Sequence, residues 1–342
     1  MSIHLTLVIP GLLQGIPGWQ QHTDLLPEAP GLTRLLSRAQ VLPTSQGQAT
    51  RLLCQLCNIR VPDERDVPMA ALGLWHDGGD PEQHYWLRAD PVVFQADRDC
   101  VWIQSLAKAP LTPTAAQALA QTCASILQED GHTLIATHPS RWYLRLSKPP
   151  ELNTQSLLDA CGSRADTVMP TGTDAKRWRQ LLNELQMALF QHPVNAQRES
   201  EGLPAVNSLW FWGGGVCPGP TGMPWQHIIG DDPYVAGLAK LGACEYHALS
   251  SGVASLGDLQ GQVLVVLPDV KEINPEQSYE GWIAYWQALE QQWFTPLVDM
   301  LQAQQVVQIA VYPGSGVCYR VSPKQRFQFW KRHKPLATFL TP

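Results

Sequence analysis

Apolar and polar positions alternate with two different periods along this chain, and the switches between them mark its elements. Residues 3–9 form a short apolar run ending at Pro10-Gly11, as a buried strand closed by a turn would. Residues 48–57 and 68–75 read as helices. Residues 85–94 and 101–106 read as extended, with Asp97-Arg98-Asp99 turning between them. Thr112-Pro113 supplies an N-cap and a proline at the first helical position, and Gly131 stands where a C-terminal cap belongs. A helix is expected between them, then a strand at 133–137. Further on, residues 174–191 place Trp178, Leu181, Leu182, Leu185, Ala188 and Leu189 on one face of an amphipathic helix. A polar stretch to Asn207 leads to an apolar strand at 208–212 and a triple glycine at 213–215. A helix from Asp232 to near Gly242, a strand at 262–267, a long helix at 278–304 kinked at Pro296, and a strand at 306–312 complete the series. Such alternation predicts an α/β fold: a mostly parallel central sheet with flanking helices.

The length of 342 residues suggests two domains. Residues 1–148 are expected to form an N-terminal α/β part that includes the strand around Arg88. Residues 149–342 are expected to form a C-terminal α/β part holding the segment from His192 to Gly215; one intertwined domain is the alternative. Charged residues, at 16%, are scarce, and thirteen Trp accompany a 44% apolar share, which supports a sizeable core and excludes a disordered chain. No apolar run reaches the length of a membrane helix, and no Lys or Arg precedes the first apolar stretch as in a secretory signal. A cytoplasmic location with no membrane partner is expected. Eight Cys in so long a chain are not a disulfide framework. Cys54 and Cys57 form the sole Cys-x-x-Cys pair, and without a matching second pair they read as core residues rather than zinc ligands.

Net charge is −6, but the residues from Ser315 onward carry six Lys or Arg and no Asp or Glu. This tail (Lys324, Arg326, Phe327, Phe329, Trp330, Lys331, Arg332, His333, Lys334) reads as a helix docked by its aromatics with its charges in water. No nucleic-acid partner is expected of a chain acidic as a whole.

Three strand ends attract attention, because ligands of open α/β sheets sit beyond the carboxyl ends of strands. They are Pro10-Gly11, Pro268-Asp269 and Pro313-Gly314, and only one carries a carboxylate. The densest chemistry lies between His192 and Gly213: an imidazole, the carboxamides of Asn195 and Gln197, and the Arg198 guanidinium, followed by Asn207. Arg offers a fork for carboxylate or phosphate, and glycines let backbone N–H groups approach an anion. The plainer reading makes Asn195 a helix cap and the glycines a turn.

The run His-Pro-x-Asn-x-x-Arg-x-x-x-Gly-x-x-x-x-Asn-x-x-Trp-x-x-Gly, from His192 to Gly213, resembles the central motif of the archaeal-type cofactor-independent phosphoglycerate mutases, members of the alkaline phosphatase superfamily. Asp232-x4-Gly237-x4-Gly242 resembles that family's next strand–helix unit, and Trp86-Leu87-Arg88-Ala89-Asp90 its Arg-containing strand. The whole chain is similar to a proteobacterial group known as mutase-like or RpfE-type regulatory proteins. The resemblance implies an alkaline-phosphatase-like fold with a smaller inserted or second subdomain. It also implies two divalent metals held by Asp and His at strand ends, beside a serine that is transiently phosphorylated. The ligands themselves are missing here. Pro10 stands where the family has Asp, Ile273 where an imidazole follows Asp269, and Pro313-Gly314 where an Asp-His pair belongs; Ser45 is the nearest position to the serine. No other compact His/carboxylate cluster, serine elbow or phosphate loop is evident.

The expected protein is therefore catalytically degenerate, without cofactor or resident metal. It would bind an anionic small molecule, phosphorylated or carboxylate, or a protein partner, in a regulatory role. His192, Asn195 and Arg198 are the expected ligand contacts, with Asn207 close by and Arg88 as an opposing cation. An active mutase or phosphoesterase with unrecognised ligands, and a protein-interaction module using the Trp-rich surface and basic tail, are the alternatives.

Overall fold

A computed structural model of the protein describes residues 2–14, 26–44, 48–273, 279–322 and 333–340. Ser45 and most of the basic tail, including Phe327 and Trp330, lie outside the described residues. The described strands, in chain order, are β1 (Ile3–Val8), β2 (Gln40–Pro43), β3 (Tyr85–Asp97), β4 (Cys100–Gln104), β5 (Thr133–His138), β6 (Arg141–Leu146), β7 (Ser208–Val216), β8 (His227–Ile229), β9 (Glu245–His247), β10 (Gly261–Val266), β11 (Val306–Tyr312) and β12 (Val317–Val321). They fall into two compact units, residues 1–59 with 220–342, and residues 60–219. The expected boundary at 148/149 thus cuts through the second unit. β3 pairs with both β6 and β7, so residues after 149 complete a sheet that begins at residue 85.

The first unit holds a seven-stranded sheet in the order β2-β12-β11-β1-β10-β8-β9. Its five strands from β11 to β9 run parallel, and β12 and β2 add an antiparallel edge. β1 lies between β10 and β11. A central parallel strand is covered on both faces, and in β1 every residue but His4 is buried, Ile3, Leu5, Leu7 and Val8 being apolar. Leu5, Leu7, Val263, Val265, Ile309 and Val311 pack with residues of the helices Pro30–Arg38, Tyr279–Leu289 and Thr295–Gln302. The expected mostly parallel sheet with flanking helices is realised here.

The long helix expected at 278–304 is interrupted by a wide π-turn at Glu290–Phe294. Pro296 has no N–H for the carbonyl of Gln292, and the chain widens there instead of breaking.

The second unit is antiparallel throughout: β4-β3-β6-β5, with β7 on β3. The links from β3 to β4 and from β5 to β6 are two-residue turns, too short for a parallel crossover. The helices Pro113–Glu129 and Ala175–Phe190 contribute Leu119, Leu127, Trp178, Leu182 and Leu185 to its core. The Thr112 hydroxyl accepts from Ala115 N at 3.2 Å, as the capping signal predicts. The triple glycine is not a turn but the end of β7. A Cβ on Gly215 would lie 2.6 Å from Pro68 Cβ, and one on Gly214 2.5 Å from Tyr85 Oη, so these glycines permit close packing rather than anion approach. Among the described residues no helix is long and apolar enough to cross a membrane.

Candidate functional site

The parallel register brings the carboxyl ends of β1, β10 and β11 side by side, Val8 pairing with Val266 and with Tyr312. The turns that follow are tied together. Gly11 N donates to the Pro313 carbonyl at 3.1 Å, and Val270 N donates to the Pro10 carbonyl at 3.1 Å. Gly11, at φ +74°, approaches so closely that a Cβ would lie 3.2 Å from Asp269 Oδ1. This convergence is what a ligand site in an open α/β sheet requires. Its chemistry is sparse. Asp269 Oδ1 accepts from Lys271 N at 2.9 Å, and Asp232 Oδ1 caps the helix Pro233–Leu241 by accepting from Tyr234 N at 2.7 Å. Burial pushes the Glu272 carboxyl up, reinforced by the charges of Asp232 and Asp269. Among the described residues, no three ligand atoms of His, Cys, Asp or Glu converge at these strand ends.

The segment starting at His192 folds into the short helix Pro193–Ser200. His192 caps it, its Nδ1 accepting from Val194 N at 3.2 Å. Asn195 is buried. Its Nδ2 donates to the carbonyls of Leu189 and Val206, and its Oδ1 accepts from Val206 N, all at 2.8 Å. The buried Arg198 guanidinium donates to the carbonyls of Pro204 (3.0 Å), Pro110 (3.3 Å) and Ala109 (2.8 Å), and burial pulls its pKa down. Asn207 pairs with the Phe94 backbone at both ends of its amide, at 2.7 and 2.9 Å. These groups were expected to hold an anion; they hold the chain. Their polar atoms face main-chain partners, which a ligand would have to displace.

Arg88 belongs to a different environment. Register places it between its cross-strand neighbours Tyr143 on β6 and Trp212 on β7, and the guanidinium carbon lies 5.2 and 5.1 Å from their ring centroids. Its Nε and one terminal nitrogen donate to Asp90 Oδ1 at 3.0 and 2.8 Å. The Trp212 indole donates to Asp90 Oδ2 at 2.8 Å, and Trp142 N donates to Oδ1 at 3.3 Å. Burial pushes the Asp90 carboxyl up while these donors pull against it. Tyr143 also donates to Asp77 Oδ2 at 2.7 Å, and Arg141 grips Asp77 at 2.9 and 2.8 Å. Burial alone would raise Asp77, but the bonds from Arg141 and Tyr143 outweigh it and hold the carboxyl below its ordinary value.

Two further clusters complete the picture. Cys54 and Cys57 are buried, with Cys54 Sγ 3.1 Å from the Tyr234 hydroxyl and the Cys57 thiol pushed up to about 12 by burial, as expected of core thiols. In the same unit His227, Glu245 and His247 come together on β8 and β9, a compact His/carboxylate cluster that inspection of the sequence missed. The available signal was Glu-x-His, whose alternate residues share one face of a strand. Two surface concavities are an open groove of 350 Å³ lined by Gln186, Met187, Phe190 and Gln191, and a hollow of 20 Å³ lined by residues around Arg38 and Val298. Neither includes Arg88, Asn195 or Arg198.

No known family profile matches the chain. Over 60 residues, 18% of the chain, it is 37% identical to the 2,3-bisphosphoglycerate-independent phosphoglycerate mutase of Methanosarcina mazei. Over 70 residues it is 34% identical to a probable enzyme of the same kind from Geobacter sulfurreducens. These matches span only 15% and 16% of the relatives' own length. Among solved structures, the PH0037 protein of Pyrococcus horikoshii is similar with a TM-score of 0.58 at 14% identity, over 99% of this chain and 92% of that one. The cofactor-independent phosphoglycerate mutase of Thermoplasma acidophilum is similar with a TM-score of 0.50 at 17% identity, over 99% and 95%. The chain thus has a mixed α/β fold of the phosphoglycerate mutase type, with local sequence similarity to those mutases.

Proposed function

We propose that this protein is a catalytically degenerate relative of the phosphoglycerate mutases, of the mutase-like or RpfE-type regulatory group, which acts by binding rather than by catalysis. The observation that carries this reading is the junction of β1, β10 and β11. Three turns meet there as a two-metal site would need, but Pro10 and Pro313 have no side-chain lone pair to offer, and of the residues at those turns Asp269 alone brings a carboxylate. Without the metals, neither neutralisation of a phosphoryl group nor activation of a nucleophile is available.

Between a small anion and a protein as the bound partner, the side chains favour a protein. Asn195, Arg198 and Asn207 are engaged by backbone groups, and Arg88 by Asp90. In contrast, Met187 and Phe190 stand exposed beside each other on the helix Ala175–Phe190 and line the open groove. The test is an assay of the full chain, supplied with manganese, for interconversion of 3- and 2-phosphoglycerate, together with calorimetry against 3-phosphoglycerate. No turnover and no binding heat are expected. Turnover above background overturns the degenerate reading, and saturable binding abolished in Arg198→Ala returns the anion to first place.

A further inference from the structure

The His227, Glu245 and His247 side chains converge at the edge of the parallel sheet, away from any role assigned so far. The backbone explains why. His227 and Glu245 are register partners on the neighbouring strands β8 and β9, and Glu245 and His247, two residues apart, project from the same face of β9. His227 Nδ1 lies 3.1 Å from Glu245 Oε2 and 3.3 Å from His247 Nε2; the third side of the triangle, His247 Nε2 to Glu245 Oε2, is 3.9 Å. Ligand atoms around a tetrahedral zinc ion, at bonds of 2.0–2.2 Å, are separated by about 3.4 Å. The triangle has that size.

Hydrogen bonding alone leaves this arrangement incomplete. Nδ1 of His227 faces two partners and can carry only one proton. If that proton points at Glu245, only the weaker share of a three-centre bond is left for His247 Nε2. If His247 donates to His227 instead, the Glu245 carboxylate faces a lone pair. One cation at the centre satisfies all three atoms together.

We propose that His227, Glu245 and His247 bind a single zinc ion, with its fourth position open to water. Two imidazoles and one carboxylate suit zinc, whereas magnesium and calcium prefer all-oxygen shells. The side-chain exposures, 14% for His227, 34% for His247 and 72% for Glu245, leave one side of the triangle open. Three protein ligands and an open position distinguish such a site from the closed four-ligand shell of structural zinc. The ion would also tie the three-residue edge strand β9 to β8. This site is separate from the strand ends of β1, β10 and β11 and does not depend on whether catalysis survives there.

The experiment is calorimetric titration of the full chain, free of any affinity tag and stripped with chelator, with zinc chloride alone. One zinc per chain is expected, not displaced by millimolar magnesium or calcium. His247→Ala should weaken binding by about tenfold or more. Glu245→Gln, at an exposed position, should weaken it as well while leaving the melting temperature of the metal-free protein unchanged. Absence of saturable zinc uptake overturns the proposal, and so does uptake that persists unaltered in both variants.

Discussion

Asn195 shows how a side chain that looks made for a ligand can be fully occupied by the chain itself. Its amide ties the end of one helix to the chain before β7, bonding to the Leu189 carbonyl and to both polar backbone groups of Val206. Asn195→Ala would bury these groups without partners, and a loss of about 3 kcal/mol in urea-denaturation stability is expected. Arg198→Ala should cost about 2 kcal/mol for the same reason. The motif from His192 to Gly213 was legible as a set of polar groups that matter. Their partners were not, because these are main-chain carbonyls and N–H groups up to 113 positions distant, such as the Phe94 backbone bonded by Asn207. Asp77 carries a pH consequence. Its carboxyl is held low in the folded protein, so its contribution to stability is complete above the unfolded carboxylate value, about 3.9, and is lost as pH falls through the lower folded value. Asp77→Asn should lower stability at neutral pH and flatten the acid limb of a stability–pH curve measured by denaturant melts.

At the scale of elements, the helix Pro30–Arg38 begins at Ala29, which offers no side-chain cap. The buried Glu290 carboxylate does this work from 259 positions away, accepting from Gly31 N at 2.5 Å and Leu32 N at 3.2 Å, with the Thr295 hydroxyl donating to it at 2.6 Å. Negative charge at a helix N-terminus is favourable, and here it is desolvated as well. Glu290→Ala should destabilise the protein by about 2–3 kcal/mol in thermal or urea unfolding. Gly31→Ala should also destabilise it, since a Cβ there would lie 2.5 Å from Glu290 Oε1 and 2.7 Å from Thr295 N. The π-turn at Glu290–Phe294 is the segment that presents this cap. Sequence periodicity passed over it because Trp282, Trp286, Leu289, Trp293 and Leu297 keep helical spacing across the wide turn, and all five are buried. Only Pro296 signalled an irregularity.

For the whole molecule, the parallel half was legible from local pattern, whereas the inserted unit was expected only from the family resemblance and its bounds were missed. β1, β10 and β11 are mostly apolar, interrupted only by His4, Thr6, Gln262 and Gln308 beside Gly261, and such stretches belong to central parallel strands whatever their order in the chain. The second unit depends instead on β3 meeting β7, residues 85–92 against 208–216, a pairing that no local pattern announces. The charged run at 60–66 and the Pro/Gly-rich stretch at 218–224 stand at the two true boundaries, but the sequence boundary was drawn at the prolines near 149, inside the unit. Residues 60–219 have their own apolar core, from Leu87 and Leu119 through Trp142 and Trp178 to Phe211. Expressed alone, this segment should unfold in one cooperative transition by circular dichroism and show dispersed amide resonances. A fragment ending at 148 should do neither, because it leaves β3 without β7 and strips Trp178, Leu185 and Phe211 from the core. A cooperative 1–148 fragment beside an unfolded 60–219 would reverse the division.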